Sequence, residues 1–153
     1  MIEIMQSIRP EWIQKFIDGE KTVEVRKTRP IAEPPYRVYV YCTKPRWPYE
    51  DALISLGLPD IVFGGGKVIG EYSCNDIFPI WPGYANGDTC LTYEQMEAYL
   101  GDNGRGWGWK INNFTIYNAP RELSDYKHYV VRGRWRIFVP LERAPQSWCY
   151  VGR

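Results

Sequence analysis

The 153-residue chain reads as one α+β domain, a mixed β-barrel of about five or six strands with two or three helices. Three observations lead there. Several short runs alternate apolar and polar residues with a period of two, and two stretches of helical spacing carry their own start and stop signals. The strands also lack the regular alternation with helices that a parallel doubly wound sheet requires. A chain of this length can bury roughly 70% of the surface its unfolded form exposes, so a single domain over 1–153 is expected.

The opening alternation of Ile2, Ile4 and Ile8 with Glu3 and Ser7 suits a strand with one buried face. A helix follows, because Pro10 is preset for a first helical position and Trp12, Ile13, Phe16 and Ile17 line one stripe. Gly19 stops it, since glycine takes the left-handed conformation that closes a helix. Thr22 to Arg29 then reads as a second strand, with Val23 and Val25 on one face and Thr22, Glu24 and Arg26 on the other. After the proline-stiffened connector 29–35, Arg37 to Lys44 alternates Val38, Val40 and Cys42 against Tyr39, Tyr41 and Thr43. Residues 45–66 read as a long excursion with a short helical patch from Asp51 to Leu58. Lys67 to Asn75 is strand-like, and loops marked by Pro79, Pro82, Gly83 and Gly87 precede a capping box of Thr92 and Gln95, which opens a helix from Tyr93 to Leu100 closed by Gly101. Gly106 to Tyr117 reads as strand, Pro120 opens a helical turn to Tyr126, and Tyr129 to Leu141 returns to strand.

Aromatic residues make up 16% of the chain and hydrophobic residues 44%, enough apolar material to offset the entropy of ordering the backbone. The formal charge of +1 supplies no global field toward nucleic acid or anionic lipid, so any polyanion site must be a local patch. The start Met1 to Met5 has no basic segment followed by an apolar run, and no stretch approaches the ~20 apolar residues of a membrane span. A cytoplasmic protein with no membrane partner is expected. Cys42, Cys74, Cys90 and Cys149 form no Cys-x-x-Cys pair, so they are read as free thiols rather than metal ligands or disulfides. Gly64-Gly65-Gly66-Lys67 lacks the lead and the following Ser or Thr of a phosphate loop, and His128 has no neighbouring ligand. No metal and no cofactor is implied.

Residues 19–26, Gly19-Glu20-Lys21-Thr22-Val23-Glu24-Val25-Arg26, spell G-x-K-x-x-E-x-R where a helix stop meets a charged-faced strand. The pattern resembles the ASCH family of the PUA-like superfamily. So does the order around it: Ser7-Ile8-Arg9-Pro10 into a helix, the aromatic stretch Tyr99 to Ile111, and the tail Pro145-Gln146-Ser147-Trp148-Cys149-Tyr150-Val151. The resemblance spans nearly the whole chain and implies a PUA-like barrel whose cleft, between the first helix and the sheet, binds RNA or a modified nucleoside. It places Lys21, Glu24 and Arg26 in that cleft, with Arg9 and Lys27 flanking it. The residues agree in part on their own terms: Glu24 and Arg26 share a strand face, and the planar fork of Arg26 suits a phosphate or a base edge.

The resemblance also carries a hydrolytic alternative. One branch acts on acetylated cytidine with the motif lysine, a threonine three residues later and a glutamate; here Glu24 stands at the threonine's place, so Thr22 becomes a shifted candidate nucleophile beside Lys21, with Glu24 or Glu71 handling the proton. Another cleaves single-stranded RNA with a lysine, a tyrosine and a serine, for which Tyr39, Tyr41 and Ser147 are available. Tyr41, with Tyr39, Tyr99, Trp107 and Trp109, could stack on unpaired bases, although core packing is the default for such residues. Arg132, Arg134 and Arg136 read as a stripe on one strand face that tracks phosphates or, equally, protects a sheet edge. A third possibility is an accessory domain whose cleft binds a protein or a small effector. A monomer or weak dimer is expected.

Overall fold

The computed structural model describes residues 1–44, 65–84 and 87–153. In chain order these form β1 (Ile2–Ile8), α1 (Pro10–Ile17), β2 (Val23–Arg26), β3 (Tyr36–Cys42), β4 (Lys67–Cys74), β5 (Ile77–Ile80), α2 (Tyr93–Leu100), β6 (Gly106–Lys110), β7 (Asn112–Arg121), β8 (Lys127–Arg132), β9 (Trp135–Pro140) and β10 (Trp148–Tyr150). Short 3-10 turns lie at Pro82–Tyr84, Gly101–Asn103 and Leu123–Asp125. Most of the 45–66 excursion, including its helical patch, falls outside the described residues.

The parallel pairing of β1 with β3, Ile2 opposite Tyr36 through Ile8 opposite Cys42, sets the architecture. A parallel pair needs a crossover, and α1 and β2 lie within it. Antiparallel neighbours complete a five-stranded sheet in the order β10-β1-β3-β4-β7. A three-stranded sheet, β2-β6-β5, and the two-stranded ribbon β8-β9 stand beside it.

The α+β class therefore holds, while the barrel of five or six strands is corrected. Ten strands occur in three open sheets, with two α-helices, and no closed barrel forms among the described residues. The undercount has local causes. The aromatic run from Gly106 breaks at Ile111 into β6 and β7, and the run from Tyr129 folds back at Gly133, whose φ of +62° suits the first central position of a two-residue hairpin turn. Pro79 looked like a loop residue but sits in β5, an edge strand that tolerates a missing donor. The helical turn expected after Pro120 is confined to Leu123–Asp125, because Pro120 and Arg121 close β7.

Where the local signals were explicit, the elements match. Gly19 closes α1 at a φ of +72°, and Thr92 and Gln95 form a complete capping box on α2. The alternation in β3 divides two cores: Tyr36, Val38, Val40 and Cys42 join Ile4, Ile8, Ile13, Phe16 and Trp109, whereas Tyr39 joins Met5, Val68, Tyr126 and Leu141. A third cluster, Val23, Val25, Ile80, Met96 and Leu100, ties α2 to the small sheet. Close approach of β4 and β7 depends on Gly70, where a Cβ would lie 2.3 Å from the Thr115 carbonyl oxygen.

Burial gives this core a pH signature. It pushes the Cys42 and Cys74 thiols up to about 12, and burial together with the hydrogen bond to Glu3 pushes the Tyr39 phenol up to about 12. All three are raised, so the native state holds protons that the unfolded chain has released. Their contribution is complete below pH ~8.5 and is lost as pH climbs toward 12, at up to ~1.4 kcal/mol per pH unit for each group. Urea midpoints are expected to fall steadily between pH 8 and 10.5, and flat midpoints across that interval would show that the thiols are not protected by the core.

Candidate functional site

Three charged side chains of the octet are buried together. Lys21, Glu24 and Arg26 expose only 2%, 7% and 9% of their surfaces, which ordinary surface ion pairs never do. They line a cavity of about 470 Å³, a volume within the range of small-molecule sites. Its walls come from six places in the chain: Ser7 at the end of β1, Arg9 and Trp12 at the start of α1, the octet itself, Thr43 just after β3, Leu91 with Gln95, Ala98 and Tyr99 around α2, and Gln146 with Ser147 before β10.

Each charge is placed by backbone geometry. The chain leaves α1 through Gly19, and the amide of Lys21 donates to the Lys15 carbonyl, so the lysine is held against the helix end. Its ammonium donates to the Thr89 carbonyl oxygen and lies 5.0 Å from the centre of the Trp12 ring. Two residues into β2, Glu24 Oε1 accepts from the Val25 amide at 3.1 Å and pairs with Arg26 Nε at 3.7 Å. Arg26 reaches across to the large sheet, donating from Nη2 to the Ser7 carbonyl at 2.7 Å and from Nη1 to Ser147 Oγ at 3.3 Å and its carbonyl at 3.4 Å. The guanidinium thereby ties β2, β1 and the segment before β10 into one wall.

Two atoms in this arrangement make no hydrogen bond. Glu24 Oε2 and Arg26 Nε are both buried without a hydrogen bond, and buried polar atoms are rarely left so. An acceptor and a donor thus remain two residues apart on a strand that lines the cavity. Burial, more than the nearby Glu24 charge, raises the Tyr99 phenol, which keeps it a protonated donor at neutral pH. Lys21, Arg26 and Arg9 against Glu24 make the cavity locally cationic in a chain of net charge +1.

The backbone of this chain overlies solved ASCH domains from Zymomonas mobilis. One such ASCH structure covers 99% of this chain and 88% of its own, at a TM-score of 0.65 and 18% identity. A tyrosine-to-phenylalanine mutant of the Zymomonas mobilis protein covers 100% and 92%, at 0.65 and 17%, and a serine-to-alanine mutant covers 99% and 89%, at 0.66 and 17%. The chain has the ASCH-domain fold. No family model and no curated protein matches the sequence.

Within this ASCH fold, the expected site residues separate. Lys21, Glu24, Arg26 and Arg9 share the cavity. Lys27 lies outside its wall, exposed, with its ammonium 5.3 Å over the Tyr99 ring. Thr22 is exposed and absent from the wall, because β2 begins only at Val23 and its carbonyl and amide are engaged with Ile111 and Asp88. The hydroxyls that do line the cavity belong to Ser7, Thr43, Tyr99 and Ser147. Tyr41 is half-buried against the second core cluster, on the opposite side of β3 from Val40. Tyr39 and Trp109 are core residues, and Glu71 sits in a separate network with Arg37 and Tyr117. Trp107 is half-buried beneath the Arg29 guanidinium.

Among the described residues no cluster of three or more His, Cys, Asp or Glu could hold a metal, and no helix is long and apolar enough to cross a membrane. The contributions of Trp12, Gln95 and Gln146 had no counterpart in the motif. Gln95 carried a signal only as a capping residue, a task its side chain performs by accepting from the Thr92 amide.

Proposed function

We propose that this ASCH-fold chain binds a nucleoside, free or within RNA, by laying a base edge against Glu24 and Arg26. The observation that carries the reading is the buried acceptor and donor left without a hydrogen bond, Glu24 Oε2 and Arg26 Nε. Every nucleobase offers an N–H donor beside an acceptor on its Watson–Crick edge, so such an edge satisfies both orphans at once. The Lys21 ammonium supplies further donors, and Trp12 and Tyr99 supply aromatic surface in the same cavity. The sequence resemblance to the ASCH family points to the same ligand class.

A hydrolytic version rests on Lys21 and Glu24, both buried, lining the same cavity, where the pair could activate a water between them. Thr22 has no part in it, since its side chain stays outside the cavity. The two versions separate in one experiment, in which N4-acetylcytidine and a short single-stranded RNA are tested for turnover and for binding with wild type and Lys21→Ala. Binding without turnover, weakened about tenfold or more by Lys21→Ala, is the expected outcome. Turnover lost in that variant establishes the hydrolase, and absence of both binding and turnover refutes the nucleoside reading.

A further inference from the structure

The β8-β9 ribbon carries charge and aromatic surface that the cavity does not use. Residues 126–141 contain Lys127, Arg132, Arg134 and Arg136 and no acidic residue, in a chain whose net charge is only +1. All four cations are exposed. So are the rings: Trp135 is 74% exposed, Tyr129 59% and Phe138 41%. Among the described residues, the two strands pair only with each other, apart from one bridge between Lys127 and Gly152 at the base.

The register corrects the expected single arginine stripe. Val131 pairs with Arg136 and Arg132 with Trp135, so Arg132 and Arg136 project from opposite faces, with Arg134 in the turn between them. One face near the tip presents Arg132 beside Trp135. The other presents Arg136 stacked 4.7 Å over Tyr129, which itself packs on Phe138 at 4.8 Å. Guanidinium and ring therefore alternate around the tip on both faces.

We propose that the tip of this ribbon, Arg132 to Arg136, docks a single-stranded nucleic acid, its guanidiniums on phosphates and Trp135 against an unpaired base. Three arginines without an anion among them are complementary to a polyanion, and the Trp135 ring, 74% exposed, fits a base that is not already stacked in a duplex. A second copy of this chain would bring like charge against like. A bilayer interface takes a surface with its apolar groups gathered on one side, and here both faces mix cations with rings. The assignment is independent of the cavity's ligand.

The test is fluorescence anisotropy with a labelled 12-nucleotide oligouridine between 50 and 200 mM salt, comparing wild type, Trp135→Ala and the triple variant Arg132→Gln, Arg134→Gln, Arg136→Gln. The triple variant is expected to bind at least tenfold more weakly, with the slope of log affinity against log salt reduced by about 2, from ~0.7 per phosphate contact on a single strand. Trp135→Ala is expected to lose roughly tenfold. Urea midpoints and uridine binding should stay at wild-type values in both, which separates failure of the ribbon from failure of the cavity. Unchanged affinity and salt slope in the triple variant overturn the proposal. So does binding to phosphatidylserine vesicles without binding to the oligonucleotide, or a dimer in sedimentation that Trp135→Ala disperses.

Discussion

Arg26→Ala is expected to destabilise the protein by about 3–5 kcal/mol, the scale seen when one partner of a buried ion pair is removed. Three losses add together. The carboxylate of Glu24, 7% exposed, is left without its counter-ion. The Ser7 and Ser147 carbonyls lose donors at 2.7 and 3.4 Å, and the link from β2 to β1 and the segment before β10 is cut. Arg26→Lys should recover little of this, because a single ammonium on a flexible stem cannot span three acceptors held by a planar fork. Urea unfolding of the two variants checks the claim, and a change under about 0.5 kcal/mol for Arg26→Ala would mean the guanidinium is no brace.

Glu24→Gln is the complementary experiment, with a large effect on binding and a smaller one on stability than Arg26→Ala. The Val25 amide already donates to Glu24 Oε1 at 3.1 Å, so a glutamine in this position keeps its oxygen there and places its NH2 where Oε2 stood. The orphan acceptor becomes a donor. Against a base N–H this sets donor against donor, and nucleoside affinity is expected to fall roughly tenfold to a hundredfold, the ~1–3 kcal/mol cost of an unmatched buried polar group. Unfolding should shift less than in Arg26→Ala, because the packing shape and the carbonyl partners of Arg26 are kept and only the counter-ion of the buried guanidinium is lost. Calorimetric titration with uridine reads the first quantity and urea unfolding the second.

How far the sequence disclosed this site follows from how local each signal was. The helix stop at Gly19, the capping box at Thr92 and the alternation in β3 are written in a few consecutive residues, and each appears in place. The octet's charged face was legible for the same reason. Its burial was not, because the cavity is closed by residues far along the chain: Ser147 lies 121 positions from Arg26, and the Ser7 amide donates to the Ser147 carbonyl at 3.0 Å only once β10 has paired with β1. No short-range pattern announces such a contact. Parity alone also extended β2 back to Thr22 and put that hydroxyl beside Glu24, whereas the strand starts one residue later. The reversal in the ribbon leaves little trace in the sequence, because alternation continues through a hairpin turn as it would through a straight strand, and only Gly133 marks it.

Whether Glu24 Oε2 and Arg26 Nε receive a base edge is tested most directly by comparing uridine with 3-methyluridine in calorimetric titrations of wild type and Glu24→Gln. The methyl group removes the one N–H on that edge and leaves the ribose and the stacking face intact. In wild type, 3-methyluridine is expected to bind at least tenfold more weakly than uridine, and in Glu24→Gln that difference is expected to vanish. Equal affinities of the two nucleosides for wild type would contradict the account.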